Sequence, residues 1–380
     1  MLNDVQLAIR DSVRAFAQER IRPRSAEFEA AGGYPAGLFE EMAALGLMGM
    51  TAPADLGGAG ADCVSYALAL MEIAAADGAL STIVSIQNSI MVSGLLKDGT
   101  ATQKARYLPP LTSGRMIGAF ALTEADAGSD ASAIRTRAEK IVGGWKLNGT
   151  KQFVTSGRIA GVAMVIAVTN PSAGKHGMSA FLVPTAARGY HVDKVEHKLG
   201  QQASDTCAIR LEDCIVRDEA LLGLEGRGYS VALSNLEAGR IGIAAQSVGI
   251  AQAALGIAVG YARERKSMGQ RIIDHQAVGF RLADLATRLE AARLMVLNAA
   301  GHKDAGLPCL AEASMAKLFA SETAEAVVSG ALQTLGGYGY LEEFGLAKIY
   351  RDVRVCQIYE GTSDIQRMLI ARALRERESI

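Results

Sequence analysis

The 380-residue chain reads as an α+β protein, mostly α, laid out in three consecutive parts. Apolar residues recur at helical spacing from the start to about Gly114, and the period then falls toward two between about 116 and 222. Long helical patterns return after Gly223. The expected organisation is a helical domain at 1–115, an antiparallel β domain at 116–222 and a helical bundle domain at 223–380.

In the first part Val5, Ile9, Val13 and Phe16 predict an amphipathic helix closed by Arg22-Pro23. A second helix is expected over 38–45, ended by Gly46, and a third over 64–75 after the Gly-rich loop PADLGGAGAD. A fourth, over 83–96, is apolar on nearly every side, as suits a protein interior or the wall of an apolar ligand site. In the second part Asn148-Gly149 predicts a two-residue turn joining two strands, with further strands at 162–169, 178–183 and 206–216. In the third, Val278, Leu282, Leu285, Leu289, Ala292 and Val296 step by four and three, the seam of a near-parallel bundle. Gly242, Gly249 and Gly256 stand seven apart, a stripe suited to close helix contact, and more helices are expected over 310–335 and from Ser363.

Composition narrows the function. Net charge is −1 with no basic block, which argues against nucleic acid. The five cysteines are scattered with no C-x-x-C pair, so they read as buried thiols of a reducing cytoplasm and neither a disulfide frame nor a zinc site. Asp4, Arg10, Asp11 and Arg14 give the opening helix a charged face unlike a secretory leader, and a cytoplasmic location is expected. Two uncharged windows, 78–96 and 241–262, contain Gln or Asn and many small residues, so they are expected to be buried helices and not membrane spans. No Gly-rich fingerprint stands between a strand and a helix, no Walker motif is present, and the five histidines lack metal-ligand spacing.

The stretch YRDVRVCQIYEGTSDIQR holds the residue of greatest interest, Glu360. Ser363 and Gln366 have the spacing of a capping box, which predicts a helix from about Asp364. A carboxylate before that helix feels its N-terminus favouring the charged form and apolar surroundings favouring the neutral one. Gly361 permits a positive φ or close approach of a ligand to the backbone. By itself YEGTS reads more readily as an ordinary helix start. Three other stretches, FALTEADAGSD, KQFVTSG and QTLGGYG, offer hydroxyls, backbone N–H groups and small residues, although each by itself is also an ordinary turn or helix end.

Taken together, ALTEADAGSD, QFVTSG, ERKSMGQ, QTLGGYGY and YRDVRVCQIYEGTSDIQR, in this order, resemble the acyl-CoA dehydrogenase family over essentially the whole chain. The resemblance implies a C-terminal four-helix bundle and FAD in the cleft between the β domain and that bundle. Phe120, Leu122, Thr123, Gly128 and Ser129 would line the flavin, Phe153, Val154 and Thr155 would pack on its ring, and Thr362 and Asp364 would meet the same cofactor. Arg265, Met268, His275, Gln276, Gln333, Gly336 and Gly337 would reach the FAD of a neighbouring subunit, which implies a homotetramer or at least a dimer. Relatives usually carry Phe where Met268 stands, and a flexible Met still covers a ring.

The resemblance also implies the chemistry: Glu360 removes the α-proton of an acyl-CoA thioester while a hydride passes to FAD, giving the trans-2-enoyl-CoA. Electrons would then leave to an electron-transferring flavoprotein. Ser129, Glu237, Arg240, Tyr359 and Gly361 are expected to meet the substrate. Some relatives place a second base just before the Arg of the long bundle helix; here that position is Gly239, and Glu237 faces about 160° away from it. This favours a straight-chain or short, 2-branched acyl group. Two alternatives share the scaffold: a dehydrogenase of a carrier-protein thioester, and a flavin monooxygenase lacking the base. A colourless chain taking up no FAD would instead be a silent scaffold.

Overall fold

The computed structural model of the protein describes residues 2–376. Helices come first: α1 (Asp4–Phe16), α2 (Ser25–Ala31), α3 (Ala36–Ala44), α4 (Cys63–Ala76), α5 (Gly78–Ile86), α6 (Ser93–Asp98) and α7 (Ala101–Thr112). Pro23 sits in a short 3-10 turn beyond α1 that leads directly into α2, so the chain bends there without leaving helical geometry. Between α5 and α6 lies a π-helical stretch, Gln87–Val92. Its polar side chains point inward and are satisfied: Gln87 donates to the carbonyls of Leu111 and Met116 and accepts from the Gly118 N–H, while Asn88 spans Leu47, Met50 and Val84. This is how Gln and Asn inhabit an otherwise apolar segment. The apolar windows of Gly78–Asp98 and Gly228–Glu264 are long enough to cross a membrane, yet 83% and 72% of them are buried in the protein itself.

The middle part is one sheet of β1 (Gly118–Ala121), β2 (Arg137–Ile141), β3 (Gly144–Thr155), β4 (Val162–Val168), β5 (Met178–Pro184), β6 (Tyr190–Val195), β7 (Thr206–Arg217) and β8 (Leu221–Leu222). The order is β6-β7-β3-β2-β4-β5-β8, with β1 also beside β4. The expectation of a purely antiparallel domain is corrected here. β1 runs parallel to β4, with Phe120 opposite Met164, and β2 meets β4 in parallel at Arg137. β4 is buried at all but its last residue, as befits a central strand covered on both faces.

The Asn-Gly hairpin is a second correction. β3 passes straight through Asn148-Gly149, and the β2–β3 turn falls at Val142-Gly143, with Ile141 paired to Gly144. Asn148 instead bonds Asp213 of β7 through both ends of its amide. Gly149 serves close approach, since a Cβ there would stand 2.7 Å from Thr136 Cα.

The last part holds α8 (Gly228–Glu264), a ribbon of β9 (Lys266–Ser267) and β10 (Gln270–Arg271), then α9 (Gln276–Asp304), α10 (Leu310–Leu335), α11 (Leu346–Val353) and α12 (Ser363–Glu376). α8 and α10 pack along each other at the centre, with α9 against both and α12 against α10. The predicted seam is buried from Leu282 to Val296, with Val278 half-buried at its edge. A Cβ on Gly242 would strike Ser85 Oγ at 2.4 Å and one on Gly249 would strike the Met71 carbonyl oxygen at 2.1 Å, whereas Gly256 faces open space. The glycine stripe therefore serves contact with α4 and α5 over two of its three positions.

Candidate active site

Glu360 lies in the turn between α11 and α12, with φ of +56°, followed by Gly361 at +90°. A non-glycine residue in the left-handed region is strained by about 1 kcal/mol, so its surroundings must impose it. They do so through two side chains. Gln366 Nε2 donates to the carbonyls of Glu360 (3.2 Å) and Gly361 (2.9 Å), and Lys317 Nζ donates to the Gly361 carbonyl at 2.8 Å. The expected Ser363 cap moves by one residue: Thr362 Oγ1 accepts from the Ile365 N–H, because Gln366 reaches past Ser363 to the turn itself. The space beside Gly361 is taken by Gln366, whose Nε2 would lie 2.7 Å from a Cβ there.

The Glu360 side chain turns inward. Its Oε2 is sealed from solvent without a hydrogen-bond partner, as are Arg240 Nε, Ser363 Oγ and Gln366 Oε1 among the described residues. Orphaned buried polar atoms are uncommon in native proteins, and a group of them around an inward carboxylate fits a ligand site. Gly239 gives the carboxylate its room, since a Cβ there would stand 2.5 Å from Oε2. Burial pushes the Glu360 carboxyl up to about 7, against the pull of Arg240 and then Lys317. Burial lowers the Arg240 guanidinium, opposed by Glu360 and Glu237. Glu237 itself accepts from Cys309 Sγ at 3.1 Å and faces Lys303, so it is not brought to Glu360; two residues along a helix point nearly opposite ways.

Tyr359 anchors the turn on its other side. Its hydroxyl donates to Gln246 Oε1 and lies 3.3 Å from both Thr82 Oγ1 and Gln201 Nε2. Gln246 Nε2 in turn donates to the Gly78 carbonyl, Ser81 and Thr82, and the Gln201 backbone N–H donates to Asp352. Tyr359, expected to meet substrate, therefore spends its hydroxyl within the protein. The 201–205 loop also reaches the end of β3, where the Ser156 and Arg158 N–H groups donate to Asp205.

The residues expected to line a flavin gather at that end of the sheet. Phe153, at φ of +58°, is 63% exposed, next to half-buried Thr155 and buried Val154. The Gln152 N–H donates to the Thr123 carbonyl at 2.8 Å, which sets Leu122 and Thr123 beside this strand, with Gly128 and Ser129 exposed further along the loop and Phe120 half-buried on β1. An outward aromatic on strained backbone beside hydroxyls and small residues fits a flat, polar ring system. Arg265, Met268, His275 and Gln276 stand elsewhere, on the ribbon and at the start of α9. Gln333, Gly336 and Gly337 are exposed at the end of α10, and Tyr338 links the two groups by its ring contact with Arg265. Both His275 ring nitrogens are engaged within the ribbon, by Gln270 and the Ser267 carbonyl. Asp364 is exposed and pairs with Arg367.

Comparison with known proteins decides the family. The sequence matches the N-terminal, middle and C-terminal domains of acyl-CoA dehydrogenase over 3–115, 119–214 and 226–375. The mitochondrial short-chain specific acyl-CoA dehydrogenase of Mus musculus is 43% identical over 97% of this chain and 90% of its own. The chain belongs to the acyl-CoA dehydrogenase family. The caffeyl-CoA reductase-Etf complex subunit CarC of Acetobacterium woodii is 42% identical over 96% and 97% of the two chains. Butyryl-CoA dehydrogenase of Megasphaera elsdenii superposes with a TM-score of 0.96 at 38% identity, covering 99% of each chain. A glutaryl-CoA dehydrogenase from Mycobacterium smegmatis, solved in complex with FADH2, gives 0.94 at 31% identity, covering 100% of this chain and 96% of that one. The protein is an FAD-dependent acyl-CoA dehydrogenase, and the residues described above fit that cofactor.

Sequence reasoning missed Lys317, Gln246, Thr82, Gln201 and the buried Lys151–Glu124 pair at 2.8 Å, which holds the 122–127 loop through Leu122. For the two lysines a sign was present. Lys317 is a single charge inside the apolar run ASMAKLFA, and Lys151 falls between inward positions of a strand. What they face was not visible without the fold.

Proposed function

We propose that this acyl-CoA dehydrogenase acts on short acyl thioesters, with Glu360 as the base that removes the α-proton. The inward, unpartnered Oε2 of Glu360 carries the reading, because a carboxylate with one oxygen sealed from solvent and raised toward neutrality is poised for proton transfer. The α C–H bond breaks and an O–H bond forms at Glu360. FAD, when bound, supplies the acceptor for the hydride leaving the β-carbon. Tyr359, Gln366 and Lys317 hold the turn, and the packed helices exclude water.

What supports a short acyl group is the obstruction along α8. Tyr66 and Ser85 hydroxyls, 3.3 Å apart, crowd Gly242, about 4.5 Å of helix rise beyond Gly239. The Gln246–Tyr359–Thr82 cluster closes the lane about 10 Å beyond Gly239. The short-chain and butyryl-CoA relatives agree with this reading.

Electron transfer to an electron-transferring flavoprotein is supported by the Etf-complex relative. A homotetramer, or at least a dimer, is supported by helix length. Gly239, beside Glu360, and Arg265 lie at opposite ends of an α8 span of about 39 Å, so Arg265, Met268, His275 and the 333–337 run serve a neighbouring subunit's FAD. A cytoplasmic setting accords with five free, buried cysteines.

The test is anaerobic flavin bleaching with a panel of short, branched, medium and aromatic acyl-CoAs. Glu360→Gln keeps FAD and loses bleaching, with turnover reduced about a thousandfold; normal turnover would refute the assignment. In the wild type kcat/KM falls as pH drops through about 7, since the base must be ionised.

A further inference from the structure

Lys317, in the stretch EASMAKLFASE, is fully buried on α10 and its ammonium is directed at the catalytic turn. The Gly361 carbonyl receives two donors, Lys317 and Gln366, both from side chains without solvent exposure. Among the described residues no ion pair neutralises Lys317 at short range; Cys356, Glu360 and Glu322 favour its charge through space, and Arg240 opposes it. A buried ammonium is costly unless something needs its charge, so its persistence beside a buried carboxylate calls for a role.

We propose that Lys317 is a positioning residue for the proton transfer: it clamps the Gly361 carbonyl and, with Arg240, supplies the positive charge that the inward carboxylate of Glu360 faces. This rests on Glu360 being the base. The groups around the carboxylate are Arg240 from α8, Lys317 from α10 and Tyr66 from α4, whose phenol burial raises. Those around Lys317 are Cys356, Glu360, Arg240 and Glu322, and burial lowers the Lys317 ammonium to about 8. Lys317 and Gln366 thus divide the work. Both fix the backbone of the turn, while only Lys317 adds charge.

The experiment is the pH profile of kcat/KM for FAD-loaded enzyme with butyryl-CoA. Lys317→Met and Lys317→Gln move the acid limb up by about one pH unit, since a nearby opposite charge lowers a carboxyl by about 1–3 units. Lys317→Arg restores the wild-type limb, and Gln366→Leu lowers kcat while leaving the limb in place. Lys317→Gln keeps a donor for the Gly361 carbonyl, so it carries the comparison if the Met variant does not fold. An acid limb unmoved in both neutral variants, with Glu360→Gln inactive, would overturn the role of Lys317 and leave the base assignment standing. Turnover by Glu360→Gln would overturn the base assignment, and this inference with it.

Discussion

Two turns in this protein share nearly the same φ angles and have opposite surroundings. Met268 and Gly269 have φ of +51° and +84°, while Glu360 and Gly361 have +56° and +90°. The first pair joins the two strands of the ribbon, Ser267 opposite Gln270, which is the setting that demands two left-handed residues in a row. Its Met268 is 93% exposed. The second pair has no ladder to explain it. It is held by side chains arriving from α10 and α12, with the carboxylate directed inward at Arg240. A local hairpin accounts for strain at Met268; only side-chain clamps account for strain at Glu360, and that strain sits at the proposed base.

The contrast can be broken most sharply at Gly239. Gly239→Ala places a Cβ 2.5 Å from Glu360 Oε2, so the carboxylate must move. Displacing a reacting group by about 1 Å costs on the order of a hundredfold, and kcat in a steady-state assay is expected to fall by that much. Next come the two turn glycines. Gly361→Ala meets Gln366 Nε2 at 2.7 Å and adds left-handed strain, for a loss of about 2 kcal/mol in chemical denaturation together with reduced turnover. Gly269→Ala faces open space and bears only the strain, about 1 kcal/mol. Equal losses at the two sites would show that the clamps add nothing. The smallest effect belongs to Met268→Ala, within about 0.5 kcal/mol of wild type in the isolated chain, because that side chain touches little of its own subunit.

The same division runs through what could be read beforehand. The bundle seam and the extent of α10 followed from spacing alone, because a helix that buries one stripe writes its period into the sequence. Asn148-Gly149 misled for the converse reason. The dipeptide fits a tight turn, but here Asn148 answers Asp213 across the sheet and Gly149 makes way for Thr136. Ser363 misled similarly, since Gln366 found better partners in the Glu360 and Gly361 carbonyls than in the cap. Parallel pairing of β1 with β4 carries no local signature at all, because strand direction depends on how the intervening chain crosses the sheet.

The linear order of residues determined the helical, β and helical progression, the family and the residue proposed as the base, since periodicity and motif are properties of neighbours in the chain. The fold alone decided that Glu360 points inward, that Lys317 and Arg240 face it and that Glu237 does not. Those facts depend on helices α8, α10 and α12 meeting in space, and a carboxylate's proton affinity is set by whatever charge and solvent stand within a few ångströms of it, however distant in sequence.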